Sequence, residues 1–296
     1  MTKSAAFESL KAHGRTFHLA SLFLSSDDAE SAAKLYALCR EVDDIADLTA
    51  DRLHAQHVLD GLLHAIQHQD HSVPFAAHFF AVNPNIQPRV MMDLIQGVRT
   101  DLQRVRIATE SELLDYAYHV AGTVGLMMCD VLKVSDPEAR RYAADLGIAM
   151  QLTNIARDVL EDARADRRYL PSDWVGAIEP AEIVATTPSV IESIDQGVRR
   201  LLLLADSFYA SGARGFPYLS FRTRAAIRVA SRVYREIGIQ ILDGHASIWA
   251  GRTVISSSRK WWLASREMIN TCLSVSSFEQ RQDSCKLFVD HTESHT

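Results

Sequence analysis

Little in this sequence stiffens or crosslinks the chain. Its 296 residues include four cysteines, eight prolines and thirteen glycines. Cys39, Cys129, Cys272 and Cys285 have spacings that fit neither a disulfide framework nor a zinc site. Reduced thiols in a cytoplasmic protein are the simplest expectation. No apolar run approaches the ~18 residues of a membrane span. The opening "MTKSAAFESLKAHG" lacks the apolar core of a signal peptide. These absences predict a soluble chain, attached at most to the inner face of a membrane. A basic excess is lacking too: the net charge is −6 and the pI about 6.0, so nothing points to nucleic acid.

Alternation at period two is also missing, and helical spacing dominates. It predicts helices near 4–24, 28–48, 51–69, 75–82, 87–106, 110–132, 136–164, 188–212, 218–248 and 259–273. Breaks are expected at "NPNIQP", "SDPE", "LPSDWVGAIEP" and "SGARGFP", where breakers cluster. Hydrophobic residues at 47% and charged residues at 23% give an ordinary globular mix, with enough length for a sizeable core. Without linker, repeat or low-complexity block, the fold expected is one all-α domain over 1–275, followed by a polar tail at 276–296.

Two of the helices carry an unusual load. In "LYALCREVDDIAD", Leu35, Leu38, Val42 and Ile45 line a core face, while Tyr36, Arg40, Asp43 and Asp47 stack along a second stripe. Asp44 adds a further charge beside them. Like charges four apart destabilise a bare helix by a few tenths of a kcal/mol. In 136–164, Ala143, Leu146 and Met150 lead into Gln151, Asn154, Asp158 and Asp162, flanked by Arg157 and Glu161. One stripe thus turns from apolar to acidic along its length. A single D-x-x-x-D is most often a solvated face. Two of them, each continuing a core stripe and each carrying arginine, predict a pocket with an apolar floor and a charged mouth.

Facing carboxylates repel one another unless a cation lies between them. Oxygen ligands without Cys or His favour Mg²⁺, which takes one or two carboxylates and completes its shell with phosphates. Arginines then clamp the remaining phosphate oxygens. That donor set suits ionisation of an allylic diphosphate, with a dry apolar pocket shielding the carbocation.

The stretches "HGRTFHLASLFL" (13–24), "LYALCREVDDIAD" (35–47), "YAYHVAGTVGLMM" (116–128), "DLGIAMQLTNIARDVLEDARADRRYLP" (145–171) and "RVYREIGIQIL" (232–242) resemble the squalene/phytoene synthase family, and most of all its bacterial phytoene synthases. The resemblance covers most of 10–245 and is weak over the last 50 residues. It implies an isoprenoid-synthase-type helical bundle with a central cavity, its acidic helices facing each other across the mouth. It implies a Mg²⁺- or Mn²⁺-dependent prenyltransferase that joins two geranylgeranyl diphosphates head to head through prephytoene diphosphate to 15-cis-phytoene, the first step of carotenoid biosynthesis. Metal ligands carried over are Asp43, Asp44, Asp47, Asn154, Asp158 and Asp162. Catalytic roles fall to Asp43, Asp47, Asp158, Asp162, Tyr116 and Arg157. Substrate contacts fall to His13, Thr16, Phe17, Ser21, Tyr36, Arg40, Val120, Gln151, Asn154, Arg167 and Tyr234. The family often has a small polar residue where this chain has Gly14. The resemblance leaves the proton acceptor open; departed diphosphate, oriented by Tyr116, is one candidate. Implied partners are the prenyl diphosphate, a membrane surface and other carotenoid-pathway enzymes.

Ser21 and Ala33 fall on the implied tail-binding wall, and both are small, which predicts a C20 rather than a C15 substrate. No NADPH is expected: G-x-G-x-x-G is absent and the similarity is to non-reducing members. Gly122 and Gly125 either permit close helix packing or present bare backbone to the cation. "RKWWLASR" (259–266) suits either a membrane interface or core packing. Three other readings stand beside this one. A C15-using dehydrosqualene or presqualene diphosphate synthase belongs to the same family. A chain-elongating prenyltransferase or terpene cyclase shares D-D-x-x-D, although the second motif here reads D-V-L-E-D. A non-catalytic helical scaffold would keep the acids for solubility.

Overall fold

The structure, a computed structural model, describes residues 3–49, 51–82 and 85–273. The expected tail at 276–296, Cys285, and part of the "NPNIQP" break lie outside the described residues. Among those described, the regular elements are helices, and the one pairing of β type is an isolated bridge between Arg106 and Arg168.

The chain order is α1 (Lys3–His13), α2 (Arg15–Ser21), α3 (Ser26–Leu48), α4 (Arg52–Gln67), α5 (Pro74–Val82), α6 (Pro88–Thr100) and α7 (Glu110–Ala117). A π-helical turn, Tyr118–Gly122, joins α7 to α8 (Thr123–Val131). Then come α9 (Pro137–Arg164), α10 (Ser172–Val175), α11 (Pro180–Ala185), α12 (Pro188–Ala213), α13 (Phe221–Leu242) and α14, which is helical over 257–273.

Local chemistry starts these helices where the sequence places caps. The Ser25 hydroxyl accepts from the Asp28 amide at 3.2 Å, Asp51 accepts from Leu53 and His54, and Asp136 accepts from Glu138 and Ala139. Several expected boundaries move. The helix expected at 4–24 breaks at Gly14, which is buried: a Cβ there would lie 2.9 Å from the Tyr36 ring. This tight contact also leaves no room for the small polar side chain the family often has. The helix expected at 87–106 stops at Thr100. The one expected at 110–132 is interrupted by the π turn. The one expected at 218–248 ends at Leu242, just before Gly244 at φ +72°. The break at "LPSDWVGAIEP" holds the short helices α10 and α11.

Two apolar cores meet at the centre. One gathers Leu35, Leu38 and Val42 of α3 with Leu59, Phe79, Met91, Leu94 and Met127. The other gathers Leu152, Ile155 and Ala156 of α9 with Leu113, Ile194 and Leu201. The long α9 packs against α7, α8, α11, α12 and α13, so it forms the axis of the bundle. The π turn packs against both α6 and α9. Cys39 and Cys129 are buried free thiols and Cys272 is an exposed one.

Candidate active site

Both acidic motifs occupy the C-terminal turns of their helices: α3 ends at Leu48 and α9 at Arg164. Helix carbonyls gather partial negative charge there, so carboxylates at these ends oppose the dipole. Local chemistry does not favour this arrangement twice, and such conflicts concentrate at functional sites.

The two helix ends flank one cleft of about 180 Å³. Of the residues singled out in the sequence, Asp43 and Asp47 enter it from α3, Tyr116 and Val120 from α7 and the π turn, Gln151, Asn154, Asp158 and Asp162 from α9, and Arg167 from the loop after α9. Ala46, Val98 and Ile155 supply apolar lining. The volume suits a diphosphate head group.

A second group adjoins the cleft without lining it. Arg157 grips Asp158 with two parallel hydrogen bonds of 2.7 and 2.6 Å. Tyr234 lies in the field of Arg157 and Asp158, and the Tyr36 phenol in that of Tyr234, Arg40, Asp43 and Asp44. Phe17 packs against both tyrosines, at 5.9 Å from Tyr36 and 5.2 Å from Tyr234 between ring centroids. Asp44 is paired to Arg40 at 2.5 Å rather than turned into the cleft. Thr16 and Ser21 are buried, and the Ser21 hydroxyl donates to the His18 carbonyl; His13 is exposed.

Charge in the cleft is uncomfortable. Burial, compounded by Asp47, Asp101 and Asp44, pushes Asp43 up to about 7 against the pull of Arg40. Burial and the neighbouring Asp158 push Asp162 up to about 8. The arginines answer part of this. Arg167 reaches across the mouth to Asp47 at 2.9 Å, and Arg252 stands 3.3 Å from Asp158. Arg167 is held there by a tethered loop. The Arg167 amide caps the Asp162 carbonyl, the Arg168 amide donates to Val105, and Arg106 binds both Asp166 and Glu179.

Whether a divalent ion fits can be judged from these side chains. Among the described residues, no three His, Cys, Asp or Glu side chains are grouped so that they could hold a metal ion by themselves. The donor set is all oxygen, and the Asn154 side-chain carbonyl is buried with no hydrogen-bond partner. Crowded carboxylates, an unsatisfied oxygen and too few grouped ligands suit ions that share their shell with a diphosphate.

Sequence reasoning missed Asp101, Tyr169 and Arg252. Asp101 stands just past the end of α6 and lines the cleft, accepting from Tyr169 at 2.7 Å and Tyr116 at 3.0 Å. The two rings stack at 4.9 Å. Burial raises Asp101 to about 6 even though both phenols and Arg167 stabilise its charge. Tyr116 therefore acts on the cleft through Asp101. The spacing had hidden this residue, because Asp101 lies in a segment expected to be helical and belongs to no acidic pair. Asp101→Asn is expected to lower turnover about 10- to 100-fold, the usual loss when a supporting partner of a metal site is removed. Unchanged turnover at saturating metal would refute that role.

The sequence profile described as squalene/phytoene synthase matches residues 10–259. The chain is 34% identical over 259 residues to the 15-cis-phytoene synthase of Enterobacter agglomerans, covering 83% of this chain and 88% of that protein. It is 36% identical over 265 residues to the 15-cis-phytoene synthase of a Paracoccus strain, covering 86% of each. Among solved structures, a dehydrosqualene synthase in complex with ligand superposes with a TM-score of 0.76 at 26% identity, covering 90% of this chain and 94% of that one. A squalene synthase from Alicyclobacillus acidocaldarius shares the fold with a TM-score of 0.68 at 21% identity, covering 82% of this chain and 95% of that one.

Proposed function

The chain belongs to the squalene/phytoene synthase family, and from that membership we propose that it condenses two geranylgeranyl diphosphates head to head, through prephytoene diphosphate, to 15-cis-phytoene. The observation that carries this reading is the cleft itself: acidic ends of α3 and α9 face each other across a mostly polar pocket with a few aliphatic residues, and arginines stand at the rim.

Asp43, Asp47, Asn154, Asp158 and Asp162 would hold Mg²⁺ or Mn²⁺, with Asp44 close behind. When bound, these ions draw charge from the diphosphate oxygens and so weaken the allylic C–O bond. Arg157, Arg167 and Arg252 give the diphosphate cationic partners as it gathers charge. Asp47 and Asp158 already bind these guanidiniums, so diphosphate and ions must compete for them. Gln151 binds Asn154 at 3.2 Å and orients its amide. Tyr116 and Tyr169 hold Asp101 beneath the head group. Ala46, Val98, Val120 and Ile155 exclude water from the developing cation. The first cation alkylates the 2,3 double bond of the second substrate, and proton loss closes the cyclopropane. The second ionisation, rearrangement and proton loss give the triene centre. The departed diphosphate accepts the proton, since the carboxylates are committed to metal.

His13, Thr16, Phe17, Ser21, Tyr36, Arg40 and Tyr234 fall to the substrate on this reading, with tails running along α2 and α3. Ser21 and Ala33 have small side chains, which on this reading leaves the wall thin enough for a C20 chain. Ser21→Phe is expected to move preference towards C15 by about tenfold or more, the upper range of discrimination by bulk in an apolar pocket. Undiminished C20 turnover would remove Ser21 from the wall. No helix among the described residues is long and apolar enough to cross a membrane. The product is an insoluble hydrocarbon, so the reading includes a cytoplasmic enzyme that meets the membrane at its inner face.

The deciding experiment supplies labelled C15 and C20 diphosphates with Mg²⁺, with and without NADPH, and identifies the hydrocarbon. Phytoene from C20 alone, indifferent to NADPH and to isopentenyl diphosphate, is the expected result. A C15-derived product would make the chain a dehydrosqualene or presqualene diphosphate synthase. A need for isopentenyl diphosphate would make it an elongating enzyme.

A further inference from the structure

The outer side of α14 has a composition that the cleft does not explain. Its inner side is settled: Leu263 and Ala264 pack against Leu19, Val229 and Val233, while Glu267 and Thr271 are buried. Ion pairs lock it to α13, with Arg228 on Glu267 at 3.0 Å and Arg259 on Glu236 at 2.7 Å. The outer side carries large apolar groups that face water. Trp261 is 54% exposed, Trp262 49%, Ile269 60% and Leu273 62%. Trp262, Ile269 and Leu273 recur at steps of seven and four, which keeps them on one stripe. Isolated exposed hydrophobics are ordinary, but these three in one row, interrupted by Arg266 and with a second exposed tryptophan, Trp261, on its flank, are a mark of interaction.

The charges around this stripe identify what it meets. The Arg259 guanidinium lies 4.5 Å and that of Arg266 5.6 Å from the centre of the Trp262 ring. Arg15 stands close enough to press electrostatically on Lys260, and Arg266 does the same to Arg232. Arg228, Arg232 and Arg259 pair with Glu236 and Glu267 along the α13 contact, while Lys260 and Arg266 flank the tryptophans, on a chain whose net charge is −6. Tryptophan flanked by arginine and lysine is the pairing that settles at the headgroup level of a bilayer. A two-fold dimer through this face would set the basic rim against itself. We propose that the outward face of α14, with Trp261 and Trp262 near its start, Ile269 and Leu273 further along and Lys260 and Arg266 among them, is the docking surface for an anionic lipid bilayer. The proposal deepens the peripheral-membrane part of the functional reading and rests on it only for its purpose. The same α14 packs on α2, the helix given to the substrate tails, so docking here would bring that apolar wall beside the lipid.

The test is flotation of the full chain with vesicles of phosphatidylcholine alone and of phosphatidylcholine mixed equally with phosphatidylglycerol. Wild type is expected to bind the anionic vesicles at least about tenfold tighter. The double variant Trp261→Ser/Trp262→Ser is expected to lose about tenfold or more of that affinity. Lys260→Gln/Arg266→Gln is expected to lose about fivefold per charge and most of its response to salt. Circular dichroism establishes that both variants fold. Hydrocarbon synthesis from detergent-dispersed substrate is measured in parallel. Synthesis without vesicle binding overturns the surface alone, and binding without synthesis overturns the reaction alone. Binding that survives both double variants overturns the surface. So does a dimer that the tryptophan variant dissociates and that ignores vesicles, since the occupant would then be a second copy.

Discussion

Asp162→Asn is expected to lower hydrocarbon synthesis at least about a thousandfold, equivalent to roughly 4 kcal/mol of transition-state stabilisation, while making the metal-free protein more stable. The two effects have one cause. Asp162 sits in the last turn of α9 against the helix dipole. Burial, Asp158 and the carboxylates of Asp101 and Asp47 press its pKa up to about 8. On the proposed reading a bound cation would make that arrangement productive; without one it only strains the fold.

The sign of the pH dependence follows from the raised value. Below about pH 4 the carboxyl is protonated both folded and unfolded, and it contributes nothing. As the pH rises, the unfolded chain ionises first while the folded site keeps its proton. Folding stability therefore falls, by up to about 1.4 kcal/mol per pH unit for each such group. The fall continues to about pH 8 for Asp162 and about pH 7 for Asp43, and then stops. The variant escapes the Asp162 part of this loss. Its metal-free Tm should exceed that of wild type by about 5 °C at pH 8 and by little at pH 4. Mg²⁺ with diphosphate should stabilise wild type most at high pH, because the carboxylates must shed protons to bind. Scanning calorimetry across pH, with and without ligands, reads all of this. A variant that keeps a tenth of its activity, or that melts below wild type at pH 8, would sink the metal assignment.

Gly147→Ala should damage the fold itself. A Cβ at Gly147 would stand 2.2 Å from the Ala121 carbonyl oxygen, and one at Gly125 would stand 2.2 Å from that of Ala143. Backbone thus lies directly on backbone where the π turn and α8 cross α9. Neither neighbour can turn aside, because both obstacles are main chain. The helices must separate, with an expected loss of about 4 kcal/mol or more and a drop in Tm of about 10 °C. The same crossing sets Tyr116 and Val120 opposite Gln151 and Asn154, so residual folded protein should show a raised KM. Gly61→Ala is the control. Gly61 lies inside α4 with nothing within 4 Å of the added carbon, and alanine there should stabilise by about 0.5–1 kcal/mol. A Gly147→Ala protein that melts like wild type would mean the helices are less closely apposed.

The same kind of contact bears on the packing reading of the other glycines. Gly125 is pressed against α9, and the atoms nearest a Cβ at Gly122 belong to Tyr118 and Ile148. Both therefore serve close helix packing.

The sequence by itself determined the all-helical character and the two acidic stripes. Each of these is periodic within one element, and a period of 3.6 residues is legible without knowing any neighbour. It also carried the family, through motifs that are local strings. Only the tertiary structure decided which carboxylates share a cleft. Asp101 looked like one more helical surface acid until Tyr116 and Tyr169, 15 and 68 residues further on, closed on it. Asp44 looked equivalent to Asp43 until its pairing with Arg40 turned it away. Arg252 was likewise invisible as a pattern, and "RKWWLASR" suited a membrane interface or core packing equally until α14 left Trp261 and Trp262 exposed. Their meaning lies in what stands beside them in space, and long-range packing of α9 and α13, not local propensity, brings those neighbours together.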